Sequence, residues 1–120
     1  MVMVPLVQHM NTSSLEIDVK ALQLLQKSPQ INQREFAVEL GVSLGKANYC
    51  IRALLAKGQI KMQNFKNSKN KLAYAYVLTP AGISARADLT AEFLQVKITE
   101  YERLRAEIEA LQAEAASQDC

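Results

Sequence analysis

Between Asn32 and Leu44 the chain is punctuated so densely that little freedom of fold remains. Asn32 precedes Gln33-Arg34-Glu35. This is the spacing of a capping box, in which an N-cap side chain and a Glu three residues on satisfy each other's backbone N–H groups. The helix it opens runs only from Gln33 to Leu40, with Phe36, Ala37 and Leu40 on its apolar side. Gly41 supplies the left-handed residue that closes a helix. Val42 fills the gap and Ser43 caps the next helix. Two helices joined by a three-residue, glycine-containing turn form a helix-turn-helix.

The neighbouring segments complete that unit. Ser14 can cap a first helix with Ile17, Ala21, Leu24 and Leu25 on one face, ending near Lys27 because Ser28-Pro29 cannot continue it. The third helix is expected from about Leu44 to Lys57, stopped by Gly58. Leu44, Ala47, Cys50, Ile51, Leu54 and Leu55 cluster on one side of it. The opposite side shows Gly45, Tyr49, Arg52 and Ala56, flanked by Lys46 and Asn48. Ile60, Met62 and Asn64 then alternate with Lys61, Gln63 and Phe65, and Leu72, Tyr74, Tyr76 and Leu78 alternate with small residues. These are two period-two strands around the polar turn Asn67-Ser68-Lys69-Asn70. A helix-turn-helix followed by a β-hairpin is a winged helix.

Thr79 caps a last helix and Pro80 takes its first position, where a missing N–H does no harm. The helical pattern continues to about Ala116. Leu94, Ile98, Tyr101, Leu104, Ile108, Leu111 and Ala115 step by 4, 3, 3, 4, 3, 4, a heptad-like seam with one short step. Glu100, Glu102, Arg103, Arg105, Glu107 and Glu109 flank it with both signs. Such a helix outruns its own domain, so its outer half needs a partner, and the simplest is its own copy. The expected class is therefore mainly α (α+β): a winged helix-turn-helix with a β-hairpin wing and a long C-terminal dimerisation helix. Its expected divisions are a mobile arm over 1–13, the winged helix over 14–80 and the coiled-coil helix over 81–120.

Charge narrows the function. No Asp or Glu occurs between Glu39 and Asp88, a stretch holding Lys46, Arg52, Lys57, Lys61, Lys66, Lys69, Lys71 and Arg86. The rest of the chain carries the other six positives and all twelve acids, a net of −6. A local field of one sign implies a polyanionic partner, most often nucleic acid. The start, MVMVPLVQHM, has no basic n-region and is too short for a membrane span. Cys50 and Cys120 make no disulfide framework, which fits a reducing compartment. The expectation is a cytoplasmic protein. His9, the sole histidine, has no Cys or carboxylate cluster near it in sequence, so no metal or other cofactor is expected. There is no Ser-His-Asp set, no glycine-rich phosphate loop and no pair of carboxylates in a pocket-forming region, so an enzyme is not expected.

Residues 39–83, ELGVSLGKANYCIRALLAKGQIKMQNFKNSKNKLAYAYVLTPAGI, resemble the winged-helix regulators described as MarR-family exopolysaccharide-associated transcriptional regulators. The resemblance is strongest in SLGKANYCIRAL and NFKNSKNK and extends through FLQVKITEYERLRAEIEAL, covering about residues 15–111. It implies sequence-specific DNA binding near bacterial surface-polysaccharide genes. The wing departs from the broader MarR pattern in being built of lysine and asparagine, and no second C-terminal helix follows.

Residue chemistry assigns roles on double-stranded DNA. The third helix fits the major groove, and Arg52 is suited to guanine because its fork pairs with O6 and N7. Asn48 suits adenine or a phosphate. Tyr49 suits the sugar or, through its hydroxyl, a phosphate, against the alternative that it only covers the helix edge. Gly45 lets the backbone come close. Ser43 and Lys46 stand at the helix start, where backbone N–H groups favour phosphate. On the wing, Lys66, Lys69 and Lys71 with Asn67 and Asn70 suit the phosphate backbone or minor groove. Lys57 and Lys61 read equally as solvated, and Tyr74 and Tyr76 as packing the sheet. Leu94, Ile98, Tyr101, Leu104, Ile108 and Leu111 are the expected homodimer contacts. A competing reading is a protein-interaction module acting through that same helix, which would not need the acid-free stretch. The sequence identifies no small-molecule effector.

Overall fold

The computed structural model describes residues 3–66, Lys69 and 72–118. Its elements run α1 (Met3–Lys27), α2 (Gln33–Leu40), α3 (Leu44–Ala56), β1 (Ile60–Lys66), β2 (Leu72–Leu78) and α4 (Pro80–Gln118). The mainly helical class, the hairpin and the long last helix match the expectation from sequence.

The first helix departs from it. α1 begins at Met3, so residues 3–13 are helical, and Ser14 lies within the helix instead of capping it. Two features of the sequence allow this. Met3, Val7 and Met10 extend the helical spacing of Ile17, Ala21 and Leu24 backwards. Pro5 falls in the first turn, where N–H groups have no intrahelical partner to lose.

The helix ends are built as the punctuation dictates. Asn32 Oδ1 accepts from the Glu35 N–H at 2.8 Å, and Glu35 Oε1 accepts from the Asn32 N–H at 3.4 Å. Gly41 adopts φ 73°, and the N–H groups of Gly41 and Val42 return to the carbonyls of Val38 and Ala37. Ser43 Oγ accepts from the Lys46 N–H at 3.1 Å and opens α3. α3 closes by the same device, with Gly58 at φ 69° and the Gln59 N–H on the Leu54 carbonyl at 3.0 Å.

Leu22, Leu25 and Phe36 are fully buried and pack with Ala37, Leu40, Ala47, Ile51, Leu54 and Ile60, so α1, α2, α3 and the base of β1 share one core. Leu44 and Leu55, expected on that side of α3, are exposed. They sit at the two ends of the helix and on the edge of its apolar arc, beyond the core's reach. The hairpin is antiparallel, pairing Ile60 with Leu78, Met62 with Tyr76 and Asn64 with Tyr74. Ile60 is buried, and Tyr76 and Leu78 pack against the core. Tyr74, expected to pack the sheet, is exposed, and so is Met62 on the same face. The strands pair as expected, but burial along β2 does not follow the alternation, because the hairpin leaves the body and only its base has the main core beneath it. Ala75 is buried, and the Tyr76 N–H donates to the Pro29 carbonyl at 2.9 Å, so the α1–α2 connection borders β2.

α4 starts against this body. Thr79 Oγ1 donates to the Gly58 carbonyl and accepts from the Gly82 N–H, and the Thr79 N–H donates to the Gln59 carbonyl. A Cβ on Gly82 would lie 1.9 Å from the Gln59 carbonyl oxygen, so the helix touches the α3–β1 junction backbone to backbone. Ala85 and Leu89 pack on the core, and Arg86 donates to Gln26 of α1 at 2.7 Å. From Tyr101 to Gln118 every residue is exposed. The radius of gyration, 19.8 Å, exceeds the roughly 14 Å of a compact chain of this size because α4 projects away, giving a long dimension of 73 Å.

Candidate nucleic-acid interface

α3 divides its surface cleanly. Ala47, Cys50, Ile51 and Leu54 face the core. Gly45, Tyr49, Arg52 and Ala56 lie opposite, all exposed, with Tyr49 at 67%. The small residues Gly45 and Ala56 keep the ends of this face low, and Arg52 and Tyr49 rise between them. Arg52 has no carboxylate partner among the described residues. The same is true of Lys46, Lys57, Lys61 and Lys66, because the ion pairs of Lys20 with Glu16, Lys97 with Glu100 and Arg105 with Glu109 lie on α1 and α4. Among the described residues, Arg52, Lys46, Lys57, Lys61 and Lys66 therefore carry their charge outside any ion pair.

The flanks of α3 differ from the face. Lys46 Nζ lies 5.4 Å from the centre of the Tyr49 ring, a cation–π contact that holds both side chains on one side of the helix. Both border a cleft of about 520 Å³ between α1, α3 and α4, whose charged lining is Asp18, Lys46, Lys57 and Asp88. Cys50 also lines it. Burial pushes its thiol up from the usual value, Lys46 opposes that, and Asp18 adds to it. On the other flank, Asn48 is half-buried and its Nδ2 donates to Gln33 Oε1 at 3.2 Å. One amide hydrogen is thus committed to α2, while the other and Oδ1 have no partner among the described residues.

Gln33 and Arg34 are the residues that the sequence pattern does not reveal. They open α2 and, with Asn32 and Leu44, line a shallow groove of about 330 Å³ beside the start of α3. The Gln33–Asn48 link spans fifteen residues and has no periodic signature. Arg34 escapes notice because Glu35 adjoins it and breaks the basic run, although the capping box turns that carboxylate back to the Asn32 N–H. Arg34 is exposed next to α3.

Of the other expected DNA contacts, Ser43 spends its hydroxyl on the helix cap. Lys66 ends β1 and Lys69 lies in the connection, both exposed. Asn67, Asn70 and Lys71 lie outside the described residues. Arg86, the last cation of the acid-free stretch, turns to α1. The described residues contain no group of three His, Cys, Asp or Glu side chains able to hold a metal ion, and no described helix is long and apolar enough to cross a membrane.

Residues 15–61 match the family model described as winged helix-turn-helix DNA-binding, which ends just inside β1. The fold is a winged helix-turn-helix. Solved structures extend the likeness to the rest of the chain. The zinc-bound MarR-family transcriptional regulator AdcR is 22% identical, with a TM-score of 0.51, over 74% of this chain and 58% of AdcR. A mutant of MepR from Staphylococcus aureus is 16% identical, with a TM-score of 0.57, over 94% of this chain and 96% of MepR. A second MepR mutant, bound to an oligodeoxyribonucleotide, is 16% identical, with a TM-score of 0.55, over 93% and 92% of the two chains. At these identities the likeness is one of fold. No curated protein matches the sequence. The matched segment is a DNA-binding domain, and the fold is one shared with these regulators.

Proposed function

We propose that this chain is a sequence-specific, DNA-binding transcriptional regulator that acts as a homodimer. α3 enters the major groove and the wing lies on the phosphate backbone. The observation that carries this reading is the exposed face of α3. It combines a low backbone at Gly45 and Ala56 with Arg52 and Tyr49 standing up from it, beside Lys46 and Lys57, neither of which has a carboxylate partner among the described residues. A solvated helix face mixes signs and pairs them. Arg52 reads a guanine edge. Asn48, steadied by Gln33, offers its free amide hydrogen and Oδ1 to adenine or phosphate. Lys46, Arg34, Lys66 and Lys69 hold the backbone. The match of residues 15–61 to a DNA-binding domain and the DNA complex of the similarly folded MepR support the same assignment.

Partner and target follow from separate considerations. The exposed seam Leu94, Ile98, Tyr101, Leu104, Ile108 and Leu111 supports a second copy as partner, since six apolar side chains in a row on a projecting helix are not a solvent surface. The resemblance of residues 39–83 to exopolysaccharide-associated regulators supports surface-polysaccharide genes as the target. Titration of the purified chain against the DNA upstream of its own gene, in a salt series beside a scrambled duplex, tests the reading. Affinity should fall steeply with salt, with log K dropping about 0.9 per log unit for each phosphate contacted, and the native duplex should be preferred. Absence of binding at low salt would end the DNA reading and leave α4 as a protein-docking element.

A further inference from the structure

We infer that the α4 helices of two copies pair in parallel and in register, as a two-stranded coiled coil over residues 94–115; this deepens, and rests on, the homodimer proposed above. Orientation is carried by the charges that border the apolar seam. From Tyr101 onward, Tyr101, Ile108 and Ala115 occupy heptad position a, and Leu104 and Leu111 position d. In that frame all three g positions are acidic, Glu100, Glu107 and Glu114, and the e positions are Arg105 and Gln112. The two orientations use these positions differently. A parallel pair sets each g residue against the e residue five positions on in its partner. An antiparallel pair sets g against g and e against e.

Antiparallel pairing therefore places glutamate opposite glutamate in every register of the frame. In the register that aligns Tyr101 with Leu111 and Leu104 with Ile108, Glu107 faces its own copy, Glu100 faces Glu114 and Arg105 faces its own copy. Parallel pairing instead joins Glu100 to Arg105 on both sides of the seam and leaves Glu107 opposite the neutral Gln112. The short step in the seam does not disturb this. Upstream of it, Leu94 and Tyr101 take d and Ile98 takes a, which puts Lys97 at g and Glu102 at e, again an attractive parallel pair. An inserted three residues overwinds a left-handed pair locally and keeps the seam continuous.

The apolar seam is open, whereas Lys97 and Glu100 pair within their own helix at 3.3 Å and must share or exchange that contact to reach the partner. Leu94, Ile98, Tyr101, Leu104, Ile108 and Leu111 are between 39% and 64% exposed. Arg105 uses its Nε on Glu109 of its own helix at 3.2 Å, which leaves the outer nitrogens of the fork for the partner's Glu100. Phe93 and Val96 lie off this seam and are already half-buried, so the two faces of α4 do not compete.

Thiol cross-linking of the full chain reads the orientation directly. In a Cys50→Ala, Cys120→Ser background, Leu111→Cys and Tyr101→Cys chains, one carrying a size tag, are mixed, equilibrated and oxidised with diamide. Links between 111 and 111 and between 101 and 101 are expected, with no 101–111 species. A 101–111 species without 111–111 links overturns the parallel assignment in favour of the antiparallel one. A dimer that links at neither position overturns the seam as the interface. Sedimentation of the reduced background chain is measured first, and a monomer there overturns the homodimer reading itself. A charge exchange gives a second readout. Arg105→Glu should raise the dimer Kd about tenfold by setting Glu against Glu100, and Glu100→Arg with Arg105→Glu should restore it. Failure of the double variant to recover also overturns the parallel pairing.

Discussion

Arg52 stands on α3 with no ion-pair partner among the described residues, and an Arg so placed on a low, exposed helix face is suited to bidentate recognition. Arg52→Ala should cost about 1–3 kcal/mol at a single base pair and flatten discrimination there, leaving binding to scrambled DNA nearly unchanged. A base-substitution scan of the operator with both proteins measures this, and undiminished discrimination would remove Arg52 from base readout. Cys50 titrates on the buried side of the same helix. Its thiol is held above the ordinary value of 9.0, so the unfolded chain loses that proton first as pH rises. The unfolded state then binds fewer protons than the native one, and stability must fall as pH climbs past about 9. Urea midpoints between pH 8 and 10.5 should show a decline that is shallower in Cys50→Ala, and equal slopes would show that the thiol is not held protonated.

The elements differ in how far a local pattern can define them. The caps and the turn of the α2–α3 unit are legible because their determinants act within four residues: the Asn32–Glu35 box, the left-handed Gly41 and the Ser43 cap. The end of α3 and the start of α4 are legible for the same reason. The limits of burial are not, since periodicity says which side of an element is apolar and not how far the core extends beneath it. Leu44, Leu55, Met62 and Tyr74 all lie on the expected faces and are exposed, each at the end of its helix or out along the hairpin. The Gln33–Asn48 bond and the approach of α4 to Gln59 are tertiary facts with no local mark. That approach makes Gly82 the most demanding position of α4. Gly82→Ala would set a Cβ 1.9 Å from a backbone oxygen that already accepts from Thr79, so neither side can move without breaking the junction. A loss of about 1–3 kcal/mol or more is expected in denaturant unfolding. In DNA titrations the variant should also weaken binding, because α4 and the end of α3 share this contact. A stability loss below 0.5 kcal/mol would show that the helix start can shift freely.

At the scale of the whole molecule, the winged helix and the projecting half of α4 are separable in energetic terms. The core is closed by α1, α2, α3 and β1 with Ala85 and Leu89, and among the described residues none beyond Glu100 is even half-buried. The projecting part contributes little to the fold of a single chain and leaves its apolar seam in water. On the proposed reading, the partner that covers this seam is a second copy of the chain. Deleting residues 93–120 should leave a cooperative thermal transition and a helical spectrum, and convert a dimer into a monomer in sedimentation. The consequence for DNA follows from counting phosphates. A dimer places two α3 helices and two wings on one duplex, and the slope of log K against log salt scales with the number of phosphates engaged. The truncated chain should bind with about half the salt slope of the full chain, and its affinity should fall because the second half-site no longer benefits from the first. If the truncated chain remains dimeric with an unchanged slope, the two copies meet through α1 or the body of the domain, and the seam of α4 belongs to another partner.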